Sequence, residues 1–315
     1  MNGFDLDINL DMVTIVGVVS DIEELRRIIE DVTNIQLTPA KVSNSFMYNK
    51  AWKMTKHAFF EIDSLKKNAR IDFNPSKLDN LSNLFVCSVL SCMKEKEFTR
   101  IDLAMDFTGI DFSREWKMRD YKSRKIGYWL SGSTERLETC YAGTRHSDSQ
   151  VILYNKTLEQ MKEFNVLLRD DQIGEKELEV IAKQKQEAKE SYWWRIEERI
   201  RGAKAKDWRN HNWFEGINLV KLNAIPIFPA DTKQSTKADV LTCLNYPNFI
   251  EGYANSTQAK IRGIIKELKY KEDEEYTPSD LLEDKKLSLI FGEIKGQLEN
   301  YISLGDQPNR EIKTL

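Results

Sequence analysis

The feature that most constrains this chain of 315 residues is an alternation of apolar and polar side chains. In Arg100-Ile101-Asp102-Leu103-Ala104-Met105-Asp106-Phe107 every second residue is apolar. Successive strand side chains point to opposite faces, so Ile101, Leu103, Met105 and Phe107 share one face while Arg100, Asp102, Ala104 and Asp106 share the other. The stretch Tyr192-Trp193-Trp194-Arg195-Ile196-Glu197-Glu198-Arg199-Ile200 behaves alike. Trp194, Ile196 and Ile200 fall on one side, and Arg195, Glu197 and Arg199 on the other.

Shorter strand signals surround these two. Val13, Ile15 and Val16 lead into Gly17, and three aromatic and β-branched runs follow between Ser45 and Phe73, the last ended by Pro75. Residues 138–143 and 151–156 read as a hairpin with the polar loop 144–149. Helical spacing recurs at Ile22, Leu25, Ile28 and Ile29 behind a capping-box pattern at Ser20 and Glu23, and again at Leu78, Leu81, Phe85 and Val89. Residues 157–189 are charged and helical in composition. Beyond Asn212 the chain turns mainly helical, with Ala238, Val240, Leu241 and Leu244 as a short core helix. These blocks predict an α+β fold: a mostly antiparallel central sheet flanked by helices, with a helical C-terminal region. The domain reading is a main α+β unit over 1–210, a helical region over 211–270 and an acidic helical appendage over 271–315.

Composition narrows the class. No stretch approaches the roughly 18 apolar residues that a membrane helix needs, and the acidic N-terminus is unlike a signal peptide, so the expectation is a cytoplasmic protein with no membrane partner. Four cysteines without a Cys-x-x-Cys pair and three isolated histidines, His57, His146 and His211, argue against a disulfide framework or a structural zinc site. The net charge of -3 hides local basic clusters at 195–209 and 260–269. Such clusters are either solvated helix faces or phosphate-binding surfaces. Asp102 and Asp106 are likewise either an acidic solvated face or oxygen ligands for a hard divalent cation.

Several segments, taken in chain order, resemble the replication-initiator family of rolling-circle plasmids, a group that also includes relaxases of some integrative conjugative elements. They are residues 70–78 (Arg-Ile-Asp-Phe-Asn-Pro-Ser-Lys-Leu), 100–106, 143–148 (Gly-Thr-Arg-His-Ser-Asp), Tyr154-Asn155-Lys156 and Trp194-Arg195-Ile196-Glu197, with a weaker echo over 253–268. The resemblance implies a metal-dependent DNA nicking-closing enzyme, whose tyrosine attacks one phosphodiester at the origin to form a 5′-phosphotyrosine link and a free 3′ hydroxyl. It places that nucleophile at Tyr154 and the ligands of Mg²⁺ or Mn²⁺ at Asp102, Glu197 and Asp106. It also implies origin DNA, a homodimer and a host helicase as partners. Two departures stand out: Arg199 occupies a position where many members carry a second glutamate, and Ile152 one where arginine is usual.

Residue chemistry accommodates those roles. A phenol with an ordinary pKa near about 10 needs a neighbouring cation or base to become a nucleophile, and Lys156, read as two residues along the same strand, would share its face. Tyr141, on the facing strand, is the substitute nucleophile. Arg145, Arg195 and Arg199 suit phosphate as planar multi-donor cations. Lys260, Arg262 and Lys266 suit a helix lying against a duplex. The alternatives are a relaxase or replication factor of a conjugative element or phage, a catalytically silent DNA-binding regulator, and a generic metal nuclease.

Overall fold

The computed structural model describes residues 5–305 apart from 20, 34–37, 56, 110, 115, 121–125, 134–135, 170–174, 191, 272–273, 278–279 and 281–283. The order of elements is β1 (Asp5–Val19), α1 (Ile22–Thr33), β2 (Thr38–Pro39), β3 (Lys50–Thr55), β4 (Ala58–Ile62), β5 (Asn68–Phe73), α2 (Asn80–Cys92) and β6 (Met93–Thr108). There follow β7 (Trp116–Asp120), β8 (Ile126–Leu130), β9 (Leu137–Ala142), β10 (Ser149–Asn155), α3 (Lys156–Leu167), α4 (Glu175–Glu190), β11 (Trp194–Arg201) and α5 (Gly202–Lys206). The chain closes with β12 (Ile217–Lys221), α6 (Gln234–Asn245), α7 (Asn255–Glu267), β13 (Glu275–Tyr276) and α8 (Asp284–Ser303).

Ten of these strands form one sheet in the order β2-β3-β4-β5-β1-β6-β11-β10-β9-β8. Every neighbouring pair runs antiparallel. The fold is therefore α+β around an antiparallel sheet, with helices in its C-terminal third. The two alternating stretches lie side by side at its centre, where β6 pairs β11 with Ile101 opposite Ile200, Met105 opposite Ile196 and Asp106 opposite Arg195. Their apolar faces point into one core. Ile101, Leu103, Met105, Phe107, Trp194, Ile196 and Ile200 are buried there against Phe85, Val86, Val89 and Leu90 of α2 and Ile294, Leu298 and Tyr301 of α8. The other face of these strands carries the ionisable groups.

Local chemistry fixes the element ends. Asp79 caps α2 by accepting from the Ser82 N–H at 2.7 Å. Gly143 (φ 97°) turns β9 into the loop before β10, and a Cβ there would stand 2.8 Å from the Ser149 carbonyl oxygen. Three local expectations need correcting. The cap of α1 is Asp21, which accepts from the Glu24 N–H at 3.0 Å; Ser20 lies outside the described residues. β10 stops at Asn155, whose side chain caps α3 by accepting from the Leu158 N–H at 3.1 Å, so Lys156 begins a helix instead of ending a strand. β11 begins at Trp194, because Tyr192 sits at φ 47°, outside the extended region.

The last third contains more than helices. β12 pairs with β7 and β13 in a separate three-stranded sheet. The helices around it build a small core of their own from Val240, Cys243, Ile261 and Leu268, whereas Leu241 is exposed. In α8 three acids, Asp284, Glu293 and Glu299, are balanced by Lys285, Lys286 and Lys295, so the helix is not the acidic one expected; it returns to the main core, where Tyr301 meets Phe73 edge-on at 5.0 Å. Residues 306–315 of the expected appendage lie outside the described residues. Among the described residues no helix is long and apolar enough to cross a membrane.

Candidate active site

The polar face of the central strands holds two linked charge clusters. In the first, Arg195 reaches across from β11 to β6 and grips Asp106 with both ends of its fork, Nε to Oδ1 and Nη2 to Oδ2, each at 2.7 Å. Its third nitrogen, Nη1, donates to Asp11 Oδ1 at 2.6 Å. Burial works against its charge, yet Asp106 and Asp11 hold Arg195 firmly protonated. Asp106 also accepts from Trp193 Nε1 at 2.8 Å and from Asn9 Nδ2 at 3.3 Å. Both of its oxygens are therefore engaged, and its evident work is to position Arg195.

In the second cluster Asp102, fully buried, takes both ends of the Arg100 fork, Nε to Oδ1 at 2.8 Å and Nη2 to Oδ2, and its Oδ2 also accepts from Arg199 Nε at 2.8 Å. Arg199 Nη2 continues to Glu197 Oε1 at 2.6 Å. Glu197 is buried too, beside Asp102, with Asp11 also in its field. Burial first, and the like charge of Asp102 second, push the Glu197 carboxyl up to about 7 in spite of Arg199.

Tyr154 joins both clusters. It lies on β10 directly opposite Arg195 on β11, with Thr139 of β9 on its other side. Its half-buried ring shares a cavity of about 310 Å³ with Tyr141, Ile152, Glu159, Glu197 and Arg199. Burial pushes the phenol pKa well up, Arg195 pulls it down, and the surrounding acids Glu197, Glu159 and Asp11 push it up again. A net gain of positive charge in this cavity is what the phenol needs in order to ionise.

Lys156 is placed differently from the sequence expectation. Its buried ammonium pairs with Glu159 one turn along α3 and stands 5.7 Å from the centre of the Tyr154 ring. It faces the π system, so any influence on the phenol is through the ring. Arg145 is exposed in the loop at the other end of β10 from Tyr154, and Lys260, Arg262 and Lys266 are exposed on α7. The structure thus gathers Tyr154, Arg195, Asp102, Asp106, Glu197 and Arg199, and leaves those four cations outside the cavity.

Asp11 is the participant that the sequence did not expose. It belongs to an acidic N-terminal run and follows Asn9 by two residues on the open face of β1, at the register break between Leu10 and Met12. Glu159 lies in the segment that reads as helical from residue 157, where nothing in the sequence singles it out; it meets Lys156 because α3 begins one residue earlier, at Lys156.

The donor set suits a hard cation in kind, since Asp102, Glu197 and the Asn9 amide carbonyl all offer oxygen. Asn9 Oδ1, on the same face across the small Ala104 from Glu197, is buried and has no hydrogen-bond partner. In number the set is incomplete. Among the described residues no three His, Cys, Asp or Glu side chains converge as a metal cage. What converges is the Asp102–Glu197 pair, with a guanidinium between.

Comparison with known proteins gives this face a context. A replication initiation protein of Staphylococcus aureus is 25% identical over 244 residues, covering 75% of this chain and 69% of the relative. Two further replication initiation proteins of the same organism are 30% identical over 138 residues, or 42% of this chain and 43% of each relative. Over three quarters of its length this chain is similar to a replication initiation protein. No family model matches it. A solved structure described as a rolling circle replication initiator protein from Geobacillus stearothermophilus aligns over 64% of this chain and 77% of that one, at 14% identity and a TM-score of 0.37.

Proposed function

We propose that this protein initiates rolling-circle replication of a plasmid by nicking one strand of its origin and later rejoining the DNA. The observation that carries the reading is the confluence at Tyr154: a strand-borne phenol opposite a fixed guanidinium, in one cavity with a buried acid pair. In the nicking step Tyr154 Oη forms a bond to phosphorus, the bond from phosphorus to the 3′ oxygen breaks, and the phenolic proton ends on that oxygen as the free 3′ hydroxyl. The phosphotyrosine conserves the energy of the broken linkage, so the reverse attack by a 3′ hydroxyl needs no nucleotide.

The residues divide the work. Arg195, held from two sides by Asp106 and Asp11, presents fixed positive charge across from the phenol and favours its ionised form. Arg199 lines the same cavity and is the phosphate-facing cation. Asp102 and Glu197 would hold Mg²⁺ or Mn²⁺, which when bound neutralises charge developing on the phosphate oxygens. Arg145, together with Lys260, Arg262 and Lys266 of α7, would contact the origin duplex away from the cut. Work as a homodimer, with a second tyrosine for closure and a host helicase following the nick in the cytoplasm, completes the proposal.

A catalytically silent DNA-binding regulator is the second reading, favoured by one observation: Arg199 already fills the space between the acids. The deciding experiment mixes the protein with supercoiled plasmid carrying its gene and flanking DNA, in Mn²⁺ or in EDTA, and resolves covalent adducts on a denaturing gel. The expected result is a Mn²⁺-dependent adduct that Tyr154→Phe reduces on the order of 10⁴-fold or more and Tyr141→Phe leaves in place. Nicking without an adduct would mean hydrolysis. Binding with neither would leave the regulator.

A further inference from the structure

Arg199 stands where two buried carboxylates require a positive charge. Its Nε lies 2.8 Å from Asp102 Oδ2 and its Nη2 2.6 Å from Glu197 Oε1, so one guanidinium spans two acids on adjacent strands. Asp102 is sealed from water and Glu197 reaches only the wall of the Tyr154 cavity, whereas the arginine side chain keeps 19% of its surface exposed and borders that cavity. Arg100 forks onto both oxygens of Asp102, Nε to Oδ1 at 2.8 Å and Nη2 to the same Oδ2 that Arg199 holds. Arg201, the next open-face residue of β11, has a buried Nη1 without a hydrogen-bond partner. This corner therefore holds three guanidinium groups, Arg100, Arg199 and Arg201, for two carboxylates. Arg199 is the one whose release leaves Asp102 still paired and has an open cavity to move into.

A divalent ion bound to Asp102 and Glu197 and a guanidinium fork on the same inner oxygens exclude one another. Both are cations, and both need those oxygens at contact distance. We propose that Arg199 is a displaceable internal counter-ion: it occupies the Asp102–Glu197 pair in the metal-free protein, and a divalent cation must eject it into the Tyr154 cavity, where it meets the phosphate of the DNA. The inference rests on the proposed nicking reading, whose metal site it deepens. Ejection turns one binding event into two changes, a filled acid pair and a free guanidinium beside the phenol. By linkage, DNA that engages the freed guanidinium tightens metal binding by the same factor by which metal tightens DNA binding.

The test is Mn²⁺ binding to the full-length protein without DNA, followed by the paramagnetic signal of free Mn²⁺, for the native chain, Arg199→Gln, Arg199→Lys and Glu197→Gln. Arg199→Gln removes the competing charge and is expected to bind Mn²⁺ roughly tenfold more tightly or better. Arg199→Lys, a point charge that cannot span both acids, should fall between. Metal-free Arg199→Gln should also melt below the native protein, with the gap closed by saturating Mn²⁺. Should it fail to fold without metal, folding on addition of Mn²⁺ reads the same competition. Arg199→Gln that binds Mn²⁺ no more tightly than the native chain, or that Mn²⁺ does not rescue, would overturn the inference. Glu197→Gln separates the two levels: if it binds Mn²⁺ as well as the native chain, the ion sits elsewhere and the proposed metal ligands themselves are wrong.

Discussion

Glu197 and Glu198 are neighbours in β11, both buried, and they meet opposite surroundings because a strand sends them to opposite faces of the sheet. On the covered face Glu198 accepts from Ser149 Oγ at 3.2 Å, lies 3.1 Å from His211 Nε2, and takes the Phe214 N–H. Its charge is fully used in tying β10 and the segment after β11 together. On the open face Glu197 has Arg199 for a partner and Asp102 for a rival, and its carboxyl is pushed up to about 7. A satisfied buried acid stabilises the fold. An acid held beside its own kind works against the fold unless a cation offsets it, and here Arg199 does. The same contrast separates Asp106, whose forked partner Arg195 is buried, from Asp102, whose Oδ2 is shared by Arg100 and the partly exposed Arg199.

Variants can break this contrast or sharpen it. The largest stability effect is expected at Arg195, an open-face residue with a structural duty. Arg195→Met leaves Asp106 and Asp11 without their shared cation and should cost about 3–5 kcal/mol in denaturant unfolding, abolishing nicking as well. Glu198→Ala should cost about 1–3 kcal/mol while leaving transfer by the folded fraction near the native level; a total loss of transfer at full folding would erase the distinction between the faces. Glu197→Gln should do the reverse, ending metal-dependent nicking with little or no loss of stability.

The pH response sharpens the same point. A carboxyl raised from the ordinary 4.5 to about 7 binds its proton more tightly in the folded state. Its contribution to stability therefore declines as pH rises from about 4.5 to about 7 and is level above that. Metal-free native protein should lose melting temperature across this window relative to Glu197→Gln; parallel curves would contradict the assignment. The smallest effect is expected at Asn155→Ala, which removes the cap of α3 and should cost about 1 kcal/mol with a modest loss of transfer, since Tyr154 immediately precedes it.

Much of this was legible because period-two alternation is a local signal. Once Asp102 and Glu197 lay on the polar faces of two strands, a single pairing of β6 with β11 was enough to bring them together. The α+β class and the hairpin carrying Tyr154 followed from the same kind of evidence. What escaped depends on distant chain. β12 completes a sheet with β7, about a hundred residues earlier, through backbone bonds that leave no pattern in either segment. Asp11 is drawn in by Arg195, and Lys156 left its strand because Asn155 makes a better helix cap than a strand residue. That Arg199 would bridge the acid pair was out of reach as well, since arginine on an open strand face ordinarily points to solvent.

Asp11 also shows how crowded such a surface can become. A regular strand offers one side chain to a given face every ~6.6 Å, twice its rise per residue. At the register break in β1, Leu10 pairs with Leu103 and Met12 with Asp102, so Asp11 is an extra residue set against no partner of its own. Leu10 and Val13 both remain in the core. One surplus residue thus supplies a carboxylate to a patch already at its geometric limit, without spending a core position. Deleting it would leave a smoother ladder and a site short of one acid.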